Sequence, residues 1–330
     1  MDKQLRVKAD KLQEIYNEAS RDFRWKNSSN MNNLIALFHV MKGREYSAER
    51  IGIINEYIKD NTSVFSCYRQ KSVLFSVLLD LNFPDPEQRF NLLLEYEEKL
   101  KEQGFRSYTY RPVTAYTLLL SCSQNEVNQR ISKAYKIFSE MRKNHPWLTS
   151  GDDYPLAVLL AGSKEEISAI MTNIENIYHK LQEAGFSKSN GLQFLSHILD
   201  FSVEDDVVKA RRCHELFTFF KKSGQHIYSA YYSSLGLITL LAEKSTEAAD
   251  RTLELADYLS EDRRFRWLGR ETIFLTAAAL VSSQYLENMK RNNEVLQAVS
   301  FVTIEALISA QTAIMLGATC TATTAASSGS

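Results

Sequence analysis

About every forty residues this sequence repeats one two-part pattern, and that recurrence restricts the chain to very few architectures. In each unit an amphipathic stretch rich in Lys and Glu ends near Gly or Asn, and a more apolar stretch follows after a short loop. The first stretches begin near residues 48, 87, 128, 165, 207 and 247. The second read SVLFSVLLDL, VTAYTLLLSC, PLAVLLAG, LQFLSHIL, LGLITLLA and IFLTAAALV. Both halves have the period of a helix. Ile167, Ile170, Met171, Ile174, Ile177, Tyr178 and Leu181 recur at steps of three and four, forming one apolar stripe. Ile131, Ala134, Tyr135, Phe138 and Met141 repeat its first five positions. Strand-like alternation is confined to SYTY (107–110), which is too short to count. LKEQGF (100–105), LQEAGF (181–186) and KKSG (221–224) fall at equivalent points and support a common register.

The pattern predicts an all-α chain of stacked antiparallel helical hairpins, α-solenoid-like, with a period of about 40 and about 14–15 helices. The tetratricopeptide period of about 34 does not fit. Antiparallel helices of about 15 residues would also give this spacing without true repetition, so both origins stay open. The expected organisation is a helical pair over 1–46, six hairpins over 47–284, a C-terminal helical region over 285–317 and a disordered tail over 318–330, read as one continuous unit. Scarce Gly (12) and Pro (5) leave long helices uninterrupted. An apolar helix from about residue 294 to 316 contains Gln297, Glu305 and Gln311. It is therefore expected to bury against protein, not to span a membrane.

A formal net charge of −1 gives no global reason to expect nucleic acid or an anionic membrane as partner. Cys67, Cys122, Cys213 and Cys320 form no CxxC and read as thiols of a reducing compartment. The stretch MDKQLRVKADKLQEIYNEA is charged from its second residue and lacks the apolar core of a signal peptide, so a cytoplasmic location is expected.

FRWKN (23–27), FHVMKGREYSAERI (38–51), FSCYRQ (65–70) and LTSGDDYPLAVLLAG (148–162) resemble an uncharacterised all-helical family of Gram-positive bacteria, domain of unknown function four thousand and three. The resemblance covers nearly the whole chain and implies a bacterial, helical, single-chain protein. It brings with it no activity and no catalytic residue.

The most pointed local feature is HPWLTSGDDYPLA (145–157), a longer loop with a His and two adjacent carboxylates ahead of a helix. Asp152, Asp153 and His145 have the chemistry to ligate a divalent metal. Helix capping accounts for the same residues except His145, with Asp153 accepting first-turn N–H groups and Pro155 sitting where its missing N–H is harmless; capping is the favoured reading. Leu156 stands where a DDxxD set needs an acid. The histidines make no HxxxH or HExxH pair, and His197, inside LQFLSHIL, reads as a hydrogen-bonded core residue. GxGxxG, Walker and GxSxG signatures are missing from the sequence. EDRRFRWLGR (261–270) interleaves Arg with aromatics in the manner of a single-strand nucleic-acid site. A solvated loop with Phe265 and Trp267 anchored in the core is the favoured alternative. Arg69 and Arg111 occupy corresponding loops of the first two units, where they either tie hairpins together or form an anion site along one edge.

These features favour a non-enzymatic binding or scaffold protein that holds a peptide or protein on the concave surface of its hairpins, with no cofactor, metal, nucleic acid or membrane involved. Two alternatives remain: a metal-dependent or acid–base enzyme centred on the 145–155 loop, and a structural homo-oligomer joined through the C-terminal helix.

Overall fold

The computed structural model describes residues 1–24, 27–291, 306–308 and 310. Residues 3–291 form sixteen α-helices, and among the described residues there is no strand. The count exceeds the expected one chiefly because two four-residue helices, α4 (Cys67–Gln70) and α15 (Arg263–Arg266), lie inside hairpin loops.

The remaining helices form seven hairpins. In each, an outer helix leads into an inner one: α1 (Lys3–Asp22) into α2 (Ser29–Lys42), α3 (Ala48–Asp60) into α5 (Ser72–Asn82), and α6 (Pro86–Gln103) into α7 (Arg111–Ser121). The same follows for α8 (Val127–Asn144) with α9 (Tyr154–Leu160), and α10 (Ile167–Glu183) with α11 (Asn190–Leu199). The series ends with α12 (Asp206–Lys222) and α13 (Tyr232–Thr239), then α14 (Ser245–Glu261) and α16 (Arg270–Arg291). Six outer helices start within two residues of the positions read from the sequence.

The repeated LKEQGF and LQEAGF segments have a common structural cause. Gly104, Gly185 and Gly224 follow their outer helices at φ of 113°, 96° and 82°, a left-handed turn that favours glycine. The next N–H then bonds back across the turn, Phe105 to the Leu100 carbonyl at 3.0 Å and Phe186 to that of Leu181 at 3.1 Å. Phe105 and Phe186 drop into the core as each hairpin turns.

Hairpins pack against their sequence neighbours, as expected, and the first also packs against the last. Helix α2 lies against α16 and α1 against α14, closing the stack into a ring. The closing seam is specific: Asn33 Nδ2 donates to Thr276 Oγ1 at 2.8 Å in the interior. Outside it, Met1 pairs with Glu254 at 2.7 Å, Lys8 with Glu287 at 2.8 Å and Arg251 with Asp2 at 3.1 Å. Outer helices bury one stripe, whereas eight consecutive residues of α11, Leu192–Leu199, are buried together. Such all-round burial needs cover on every side, which a ring of inner helices supplies. Gly236 lets two of them approach closely, since a Cβ there would lie 2.8 Å from the Ile198 side chain.

Most of the 294–316 helix expected from the sequence lies outside the described residues. Ala306, Leu307, Ile308 and Ala310 are helical, buried and part of the same core. Among the described residues no helix is long and apolar enough to cross a membrane. Cys122 and Cys213 are free thiols, burial pushing that of Cys213 up to about 12. Cys67 departs from the reading of four thiols, being disulfide-bonded.

Candidate functional site

A ring of antiparallel hairpins has two poles. All outer-to-inner loops (23–28, 61–71, 104–110, 145–153, 184–189, 223–231 and 262–269) reach one pole, and the inner-to-outer loops reach the other. Arg69, Arg111, His145, Asp152 and Asp153 therefore share a pole although they come from three hairpins. They form three separate clusters there.

Arg69 donates Nη1 to the Lys59 carbonyl, in a short bond, and to that of Thr62 at 3.1 Å, clasping the end of α3. Arg111 does the equivalent one hairpin on, reaching the Arg106 carbonyl at 3.2 Å and Glu97 Oε1 at 3.3 Å. Both arginines thus stabilise the C-terminal end of the outer helix in their own hairpin, where a cation also meets the negative end of the helix dipole. Burial raises the Glu97 carboxyl above its ordinary range, and the Arg111 charge offsets part of that rise. The Tyr68 hydroxyl is buried beside Glu97, and burial followed by that carboxylate pushes it well up.

The 145–153 loop is longer than its counterparts because it braces both neighbouring hairpins. On one side Gly151 packs so tightly on Ser107 and Tyr110 that a Cβ would meet the Ser107 Cβ at 2.6 Å. On the other, Asn190 donates to Asp152 at 2.8 Å and Gln193 to Thr149 Oγ1 at 2.7 Å. Asp153 reaches back to the Ser150 N–H at 2.9 Å, so the cap is a capping box with Ser150 as N-cap and Asp153 three residues in. Burial, then the neighbouring Asp152 charge, raises the Asp153 carboxyl well above the carboxylate range. Replacing Asp153 by Ala strands the Ser150 N–H and should lower stability by about 0.5–2 kcal/mol, while Asp153→Asn keeps an acceptor and most of that stability. Urea unfolding of the two variants checks this; equal losses in both would remove the cap from the account.

His145 faces away from the two aspartates in its bonding: Nε2 meets Glu175 Oε1 and Oε2 at 3.0 and 3.1 Å. Burial alone would raise the Glu175 carboxyl, but the bond and charge of His145 outweigh it and hold it below its ordinary range. His197 lies nearby in the core. Its Nδ1 meets the Gln193 carbonyl and so carries the proton, leaving Nε2 as an unpartnered acceptor. Burial holds its pKa down at about 4. Among the described residues no three His, Cys, Asp or Glu side chains are grouped so as to hold a metal ion.

What sequence reading missed is the distribution of charge and aromatics between the poles. Among the described residues, the outer-to-inner loops carry eight Lys and Arg against three Asp, and the inner-to-outer loops three Lys and Arg against nine Asp and Glu. Helix ends extend the asymmetry, with Arg142, Lys143, Lys221 and Lys222 in the last turns of outer helices at the basic pole. Exposed large apolar side chains collect there too: Val64, Phe65, Trp147, Tyr228 and Trp267 all lie in its loops. Trp147 is 96% exposed and Trp267 79%. Of the Arg-rich segment, Phe265 is anchored in the core as expected and Trp267 is not. Two residues apart on a helical turn, their side chains point about 200° from one another.

In comparisons with known proteins, the chain is 26% identical over 317 residues to the uncharacterized protein YeaA of Bacillus subtilis (strain 168), covering 94% of this chain and 93% of that protein. No solved structure matches. The model of the family described as protein of unknown function (DUF4003) matches residues 15–313, and the chain belongs to that family.

Proposed function

We propose that the protein is a non-enzymatic scaffold that holds an acidic peptide or protein against its basic pole. The observation that carries this reading is the coincidence, on that one pole, of a cationic excess with solvent-exposed Trp147, Trp267, Phe65 and Tyr228. Exposed aromatic rings beside Arg are what protein interfaces use as anchors, and complementary charge speeds and orients the encounter. Ring closure moves the expected binding surface. With the inner helices buried on all faces, the loop pole takes the place of a concave groove.

Capture of crosslinked partners from a bacterial lysate, comparing wild type with Trp147→Ala/Trp267→Ala and with Arg264→Glu/Arg266→Glu, tests the reading. Both Trp side chains lie mostly in solvent, so their removal should leave thermal stability unchanged. Binding should weaken by about tenfold or more in the Trp variant. It should also weaken with added salt and fall in the charge-reversed variant. An identical set of captured proteins from all three forms would overturn it.

A further inference from the structure

At the basic pole a cavity of about 440 Å³ opens between the first two hairpins, within the usual range for small-molecule sites. It sits where the layer of outer helices is interrupted. Outer helices pack one on the next from α3 round to α1, but α1 and α3 make little contact. We propose that this cavity binds a small organic anion, a carboxylate or phosphate ester that also carries a hydroxyl or amino donor.

Charge is the first argument. Lys59, Arg69 and Lys71 line the cavity, and among the described residues no Asp or Glu does. Two of these cations are already engaged, Lys59 with Glu56 at 2.8 Å and Arg69 with backbone carbonyls. Lys71 has no hydrogen bond or ion pair from its side chain among the described residues, although it is half-buried. Burial accordingly depresses its ammonium pKa, the signature of a cation lacking a counter-charge.

The second argument is backbone geometry. Lys71 is the N-cap of α5 and makes no side-chain cap. Ser72, Val73 and Leu74, the first turn of α5, thus receive no side-chain cap, and all three residues line the cavity. An uncapped first turn with its dipole directed at a cation-lined hollow is a strong local preference for an anion.

A third observation is independent of charge. Asn55 lines the cavity, is 8% exposed, and leaves its Oδ1 without a partner. A ligand donor would relieve that orphan acceptor, which is why a bare inorganic anion fits less well than one bearing a hydroxyl or amine. Phe23, Met31, Val73 and Leu74 supply apolar wall for a carbon skeleton.

This inference goes beyond the partner reading, because it concerns a recess and not the exposed aromatic rim. Calorimetric titration of the full chain with inorganic phosphate, phosphoserine, citrate and uncharged glycerol tests it, alongside a serine-phosphorylated peptide. Saturable binding of phosphoserine or citrate, tighter than inorganic phosphate and absent for glycerol, is expected. Lys71→Met should weaken it about tenfold or more, and Val73→Trp should block it by filling the recess while leaving every cation in place. Equal affinity for phosphoserine and the phosphopeptide identifies a free small molecule as the source, and binding of the peptide alone identifies an anion carried by a partner; both support the anion site. No saturable binding of any anion, or full affinity in Lys71→Met, overturns it. Because Trp147 and Trp267 are untouched in these variants, that failure is separable from failure of the partner reading.

Discussion

Deleting residues 1–46 should abolish cooperative folding instead of merely shortening the protein. In an open solenoid each hairpin contacts only its neighbours, so loss of a terminal one removes a single interface and leaves a soluble, somewhat less stable remainder. Here the first hairpin is held on both sides. Its α2 packs on α5 and on α16, and α1 packs on α14. Removal uncovers two seams at once, including the buried Asn33–Thr276 hydrogen bond, the contact of Tyr16 with Phe265 at 4.8 Å, and the ion pairs of Met1, Asp2 and Lys8. Leucine-sized side chains on two inner helices would meet water, each at about 1.5–3 kcal/mol. Aggregation, dye binding to exposed apolar surface and loss of a single sharp thermal transition are expected. A soluble 47–330 fragment melting cooperatively within a few degrees of the intact chain would mean that the ring closure contributes nothing.

Two ionisable groups about one turn apart at the end of α11, buried His197 and half-buried Asp200, should give opposing pH dependences of comparable size. His197 is held at about 4 by burial, against an ordinary value of 6.5. Between these values the unfolded chain binds a proton that the folded chain refuses, so stability rises with pH across the window and is lost on acidification. The full effect is about 3 kcal/mol. Asp200 is raised to about 7, chiefly by burial and with further help from Glu165 and Asp206, while Lys209 pulls it down. Its folded form keeps a proton that the unfolded chain releases above about pH 4, so this group lowers stability as pH climbs to about 7. The two slopes largely cancel from pH 4 to 6.5 in the wild type. Asp200→Asn should therefore be the more stable form above pH 7, by about 1–3 kcal/mol, and should show the His197 slope unmasked. His197→Gln should show the reverse, with stability falling as pH rises. Urea unfolding between pH 4 and 8 reads both; variant curves parallel to wild type would show that neither group titrates in the fold.

Much of the fold was legible from local pattern because each cause is itself local. The three- and four-residue stripe on α10 determines which side is buried, and all of its predicted positions except the terminal Ile167 are buried. The glycine after an outer helix marks the turn, so Gly104 and Gly185 stand at matching points of LKEQGF and LQEAGF. Capping at 150–153 was legible for the same reason, though the roles differ from expectation, with Ser150 taking the N-cap and Asp153 reaching back. The two arginines were singled out as a pair, and they share one duty, clasping their own hairpins.

The candidate site was less legible, because its members are brought together by the ring and not by the chain. Trp147 and Trp267 are far apart in sequence, and nothing in either local segment places them on one face. Net charge summed over the whole chain comes to −1 and conceals two poles of opposite sign, since a sum carries no position. The cavity beside Lys71 likewise draws on two hairpins, on Phe23 and Met31 of the first and on Asn55, Lys59 and Arg69 of the second. Sequence alone determined the helices, their ends, their pairing and the family, all of which depend on neighbours within about one repeat. Only the tertiary structure decided that the stack closes on itself, because α2 meeting α16 is a contact between the two ends of the chain with no local signal. That closure, in turn, buried the inner faces and left the loop pole as the surface on which charge, aromatics and cavity converge.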